Sequence, residues 1–391
     1  MVTYIHRIHI ERKKNQQLKI NQFKGELTRM RKLPKGFFRS GIVVLILLGL
    51  AGLLAGCGGG KTTAEKSSGS EAAKSKTRTI ILGAYTVPKE AYQKNILPAF
   101  RKYWKGKTGE DVEFKESYVA SGAQAKAIIG GFEADVAALS LEGDVDKITK
   151  AGLITNDWKS SKEGGFVTDS VVVIGTRKGN PKGIKDWEDL TKPGIQVLYP
   201  NPKTSGGAMW DVNAIYGAAL KYSEVKKGQK DYAYAKDFLK KVQKNVKVMD
   251  KSGRESFTTF EKGVGDAVVT YESEVLRVLK DGADYEVIYP RSTILIKNPV
   301  AIVDKSVEKH GNRDVVEAFV DFLYHAESQK AFAEAGFRPV DKDVAANYKD
   351  NYPVPELLFG IEYLGGWGKV IKEIYGPEGV WTKGLEELAK S

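Results

Sequence analysis

From Thr79 onward the chain alternates short runs of apolar and β-branched residues with longer segments of helical spacing, and this alternation sets the fold class. TIILGA (79–84), VEFKES (112–117), DVAAL (135–139), SVVVIGTR (170–177), IQVLY (195–199), the run from Lys247 to Asp250, DAVVT (266–270) and YEVIY (285–289) read as strands. PKEAYQKNILPAFRKYW (88–104) has helical periodicity, and most of the other strands are followed by a similar segment. Beyond residue 313 the pattern is helical, as in VVEAFVDFLYHAESQKAFAEAG and LEELAK. Strands that alternate with helices predict an α/β fold with mostly parallel sheets covered on both faces. A span of about 310 residues is more than one core comfortably holds, so two lobes are expected. Residues 79–168 and 273–391 would form lobe one and 169–272 lobe two, with crossings near Asp169–Val173 and Thr270–Ser273.

Charge narrows the partners. The 61 Lys and Arg against 49 Asp and Glu give a net +12, an excess that ordinarily points to nucleic acid or an anionic membrane. Residues 1–40 alone carry eleven Lys and Arg against Glu11 and Glu26, a net +9. Residues 41–56 are uncharged, so 12 − 9 leaves +3 for everything from residue 57 onward. The lysine clusters at 221–230 and 236–251, interleaved with Tyr, are therefore not read as a nucleic-acid patch, and no nucleic-acid partner is expected. A single cysteine, Cys57, excludes an intrachain disulfide and any multi-cysteine zinc or iron–sulfur site. His6, His9, His310 and His325 have no ligand spacing, so neither a metal nor another cofactor is expected.

The basic stretch RKLPKGFFRS leads into sixteen apolar or small residues at 41–56, too short a run for a comfortable membrane span. That order is a signal peptide. It ends Leu54-Ala55-Gly56-Cys57, which resembles the bacterial lipobox, where cleavage leaves a lipid-bearing cysteine at the new N-terminus. Residues 1–56 are thus read as a lipoprotein signal peptide, with 1–29 as an over-extended start because a normal charged region would begin near Met30. Residues 57–78, rich in Gly, Ser, Thr, Lys and Glu, read as a flexible tether. AGCGGGKT (55–62) loosely matches a phosphate loop, but no core strand precedes it and no helix follows it.

Four strand-to-helix junctions consist largely of small or hydroxylic residues: Tyr85-Thr86-Val87-Pro88, Ser121-Gly122-Ala123-Gln124, Thr204-Ser205-Gly206-Gly207-Ala208 and Ser252-Gly253-Arg254. In open α/β sheets ligands bind at the carboxyl ends of strands, where helix starts present unpaired N–H groups. A Ser cap, and a Gly where backbone must approach closely, suit an anion cradle. Each helix start contributes about half an elementary charge, so three or four together match a dianion. None of the four junctions includes a carboxylate. A donor-rich site suits sulfate, which only accepts hydrogen bonds, better than phosphate, which keeps a proton near neutral pH.

Tyr85-Thr86, SYVASGAQ (117–124), EADVAALSLEGDVD (133–146), RKGNPKGIKDWEDL (177–190), PNPKTSGGAMW (200–210), GVGDAVVTYESEVL (263–276) and LGGW (364–367) resemble the sulfate-binding proteins of ABC importers over essentially all of 79–391. That resemblance implies a type II periplasmic-binding-protein fold with the ligand cleft between its lobes. It also implies that sulfate is held by the N–H groups of Thr86, Ser121, Gly206, Gly207 and Gly253 and by the Ser205 hydroxyl, with Arg254 as support behind Gly253. Two positions depart from the family pattern. Thr86 stands where Asp is common, and Tyr271 occupies the position of an indole donor, which bears on the choice between sulfate and thiosulfate.

The implied protein is an extracytoplasmic receptor, lipid-anchored in the periplasm or on the outer face of the cell membrane. It would be a monomer that delivers sulfate to a permease driven by an ATPase. The alternatives are a receptor for thiosulfate or another tetrahedral oxyanion, and an enzyme acting on a phosphorylated or sulfated substrate in the same cleft. Asp266, Glu272 and Glu274 would be the carboxylates of such an enzyme, but their placement after a strand is that of solvated or capping groups.

Overall fold

A computed structural model of the protein describes residues 76–390. The expected signal peptide, Cys57 and all but the last residues of the expected tether lie outside them.

Among the described residues ten strands form one continuous hydrogen-bonded array in the order β2-β1-β3-β9-β4-β7-β5-β6, with β8 and β10 (Arg338–Pro339) also pairing with β4. At one end β1 (Thr77–Ala84) runs parallel to β2 (Asp111–Tyr118) and β3 (Val136–Ala138). At the other, β5 (Val197–Leu198) runs parallel to β6 (Val246–Val248) and β7 (Ala267–Tyr271). The middle is antiparallel: β4 (Phe166–Arg177) pairs with β9 (Leu295–Ile302) up to Val171, then with β7 from Val172. One long strand therefore passes from the first sheet region to the second. β1 begins at Thr77, two residues before the start read from the sequence and inside the expected tether.

Both faces of the strands are covered, as their near-continuous apolar runs require. In β4, Val172 and Ile174 join the main core, while Val171 and Val173 point the other way against Phe257, Phe260 and Val275. In β3, Val136 and Ala138 face the main core and Ala137 packs with Ile128, Val145 and Ile148. The helix Gly206–Lys227 is buried on almost every side over its first four turns, which are apolar or small apart from the buried Asp211 and Asn213.

β9 was not legible as a strand. Its sequence LIKNPVAI carries Lys297, Asn298 and Pro299, and proline removes a ladder donor. The structure accommodates Pro299 opposite Phe166, where the register between β4 and β9 shifts. The expectation groups 273–391 with 79–168. In the structure β8 (Tyr285–Ile288) pairs with Ile174–Arg177 of β4, and the last helix, Val380–Leu388, lies against Tyr232–Lys244, where Gln243 Nε2 donates to the Trp381 carbonyl at 3.1 Å.

Candidate binding site

The helices Ser121–Ile129, Gly206–Lys227 and Gly253–Glu261 each follow a strand and begin where the sequence places the small-residue junctions. Ser205 and Ser252 are their residues' caps: Ser205 Oγ accepts from the Ala208 N–H at 3.3 Å and Ser252 Oγ from the Glu255 N–H at 3.2 Å. After β1 the chain turns at Thr86 into Lys89–Ala91, a π-turn at Tyr92–Ile96 and the helix Leu97–Thr108. The N–H groups of each first helical turn have no partner within the helix.

These starts meet. A Cβ on Gly122 would stand 3.1 Å from the Thr204 carbonyl oxygen, so the Ser121 helix abuts the residue before Ser205. One on Gly206 would lie 2.1 Å from Ser140 Oγ, and one on Gly207 would lie 2.8 Å from the Tyr271 ring and 3.4 Å from Ser205 Oγ. Only glycine permits this approach. Gly253 faces Val87, 3.8 Å from its would-be Cβ, which brings the third helix start to the Thr86 turn. The Tyr85 and Tyr271 rings are 6.1 Å apart. Thr86, Ser121, Ser205, Gly206, Gly207, Gly253 and Tyr271 are thus gathered around one locus, and all but Thr86 and the glycines are side chains the structure buries.

The Arg254 guanidinium is held by carboxylates beside that locus. Its Nε donates to both Glu274 carboxylate oxygens at 3.0 and 2.9 Å, its NH1 and NH2 donate to Glu90 at 2.6 and 2.9 Å, and NH2 also reaches the Val87 carbonyl at 3.3 Å. Burial would lower its pKa, but the flanking carboxylates Glu274 and Glu90 outweigh burial and hold it above its ordinary value. The same burial pushes the Glu274 carboxyl up against the pull of Arg254.

The three carboxylates weighed for catalysis are occupied. Glu272 holds Arg338 through two bonds of 2.8 Å, Glu274 holds Arg254, and Asp266 accepts the Gln196 N–H at 2.8 Å.

Two residues escaped the sequence reading. Asp144, almost wholly buried, accepts the Ser121 hydroxyl at 2.6 Å and Lys147 Nζ at 2.7 Å, so a carboxylate does adjoin the site but is already engaged. Ser140, one residue beyond the strand-like DVAAL run, donates its N–H to Ser121 Oγ at 3.1 Å. The only signal was that both fall within EADVAALSLEGDVD. The hydroxyls of Tyr85, Ser140 and Tyr271 are buried without a hydrogen-bond partner. Burial raises the Tyr271 phenol well above its ordinary pKa; its hydroxyl faces Ser140 and Asn298 yet completes no bond with either. Among the described residues no cluster of three His, Cys, Asp or Glu could hold a metal, and no helix is long and apolar enough to cross a membrane.

Two sheet regions bridged by β4 and β9, with helix starts converging where they meet, define a solute-binding protein of the type II periplasmic-binding fold. Residues 84–338 match the family model for bacterial extracellular solute-binding proteins, and the chain belongs to that family. It is 40% identical over 338 residues to the sulfate-binding protein of Synechococcus elongatus, covering 86% of this chain and 93% of that one. It is also 40% identical over 304 residues to the sulfate-binding protein of Escherichia coli, covering 77% and 91%. Among solved structures it is similar to the sulfate-binding protein SubI from Mycobacterium tuberculosis, with a TM-score of 0.68, 37% identity, and 75% and 98% of the two chains covered.

Proposed function

We propose that the protein captures sulfate outside the cytoplasm and delivers it to the permease and ATPase of an ABC importer, acting as a monomer held at the membrane by lipid on Cys57. The observation that carries this reading is a locus of helix N–H groups and unpartnered buried hydroxyls, beside which the carboxylate of Asp144 is already engaged by Ser121 and Lys147. Such a site pairs fully only with an acceptor-only dianion. Thr86, Ser121, Gly206, Gly207 and Gly253 would donate through backbone N–H groups, and Ser205 and Tyr271 through hydroxyls. Names of relatives at 40% and 37% identity support sulfate as the ligand. The occupied carboxylates support a receptor over an enzyme.

The two lobes would be the β1–β3 region and the β5–β7 region, hinged where β4 exchanges β9 for β7 and where β7 ends at Tyr271. β8 and the last helix would belong with the second. Titration calorimetry of the purified protein with sulfate, thiosulfate, molybdate and phosphate tests the reading. One sulfate per chain and far weaker phosphate binding are expected, because the phosphate proton would face donors. Equal affinity for phosphate and sulfate, or turnover of a phosphorylated or sulfated substrate, would refute it.

A further inference from the structure

Ser140 sits between β3 and the helix Glu142–Lys150 and is 1% exposed. Its backbone is fully committed: the N–H donates to Ser121 Oγ at 3.1 Å, and the carbonyl accepts from Trp210 Nε1 at 2.7 Å and Asn298 Nδ2 at 3.1 Å. Its hydroxyl has no partner. A rigidly held residue with an idle buried hydroxyl is an exception that calls for a use, since buried polar groups are otherwise paired.

The hydroxyl's position supplies the use. It lies against the first residue of the Gly206 helix, so close that a Cβ there would be 2.1 Å away. The Tyr271 ring borders the next residue, Gly207, and the Tyr271 hydroxyl, itself without a partner, faces Ser140. We propose that Ser140 is a specificity-determining ligand contact: its hydroxyl donates to the oxyanion seated on the Gly206 and Gly207 N–H groups, beside the Tyr271 hydroxyl in one wall. This rests on the oxyanion-receptor reading above. A hydroxyl pair rewards oxygen. The terminal sulfur of thiosulfate is larger and a weaker acceptor, so it gains less from this wall and fits it worse.

The test is calorimetry on the full chain with sulfate and thiosulfate, together with melting of the ligand-free protein. Ser140→Ala keeps the backbone bonds and removes only the hydroxyl. It should weaken sulfate about tenfold or more, as expected for a bond to a charged acceptor, weaken thiosulfate less, and leave ligand-free melting unchanged or slightly higher. Ser140→Gly should repeat the binding result with somewhat lower ligand-free melting, because glycine loses more backbone freedom on folding, and adding Tyr271→Phe to Ser140→Ala should cost less than the product of the single effects if the two hydroxyls share one ligand. Sulfate affinity within twofold of the parent in both Ser140 variants overturns the proposal while leaving the receptor reading intact. So does equal weakening of both ligands, or affinity lost in step with ligand-free melting. A parent protein that binds no sulfate overturns both.

Discussion

The guanidinium of Arg254 grips the carboxylate of Glu90 with two bonds, NH1 to Oε1 at 2.6 Å and NH2 to Oε2 at 2.9 Å, 164 residues apart in sequence. This fork ties the residue after Gly253 to the turn that carries Thr86, so the two parts of the proposed cradle share a strap. The buried Glu274 holds the other edge of the same guanidinium.

Loosening the strap should weaken closure without dismantling the fold. Glu90→Gln removes one charge of a partly exposed pair, which is worth about 1 kcal/mol, so sulfate should bind roughly fivefold more weakly. Calorimetry at low and high salt checks this, and the difference between parent and variant should shrink at high salt.

Ser205 is expected to use its hydroxyl twice, accepting from Ala208 and donating to the ligand. Ser205→Ala should lose about 1 kcal/mol of stability as a missing cap and about 1.5–3 kcal/mol of sulfate binding. Ser205→Asp separates the two roles. Aspartate caps as well as serine, so melting should hold, while its charge facing the anion should abolish binding.

Asp304 carries a pH signature. Burial by itself would raise its pKa, but the N–H groups of Asn156 and Thr155, the Arg313 guanidinium and the Asn156 side chain bring it down to about 2. A carboxyl held below its unfolded value stabilises the fold in full above that value, 3.8, and the contribution fades as pH falls toward 2. Denaturant titrations should show roughly 1–2 kcal/mol lost from this group between about pH 4 and 2, the full shift being discounted for solvent near Arg313. In Asp304→Asn that pH-dependent increment should be missing.

The proposed anchoring would rest on one atom, the Cys57 sulfur. Cys57→Ser should abolish lipid labelling and move the protein from the membrane to the soluble fraction. Unchanged membrane association without lipid would point to an uncleaved signal segment instead.

Much of this was legible because local chemistry announces itself. Gly206-Gly207 after Ser205 marks a helix start whatever surrounds it, and the alternating runs gave eight of the ten strands to within a few residues. What stayed hidden depends on topology. Pro299 reads as a break until β3 and β4 close on both sides of β9 and a register shift absorbs it. Ser140 is 131 residues from Tyr271, and only the placement of β3 next to β9 and β9 next to β4 brings them face to face. The Arg254–Glu90 fork has the same origin.

The contact between Gly206 and Ser140 leaves no space for even a methyl group: a side chain at 206 would meet Ser140 Oγ at 2.1 Å and Leu141 at 2.8 Å. If the lobes close as proposed, Gly206→Ala would therefore act as a wedge, barring the shut arrangement while leaving the proposed hinge strands untouched. Such a chain would be a permanently open receptor, able to compete with the native protein at the permease yet carrying no cargo, and so a means of asking whether the importer senses the receptor's shape or its load.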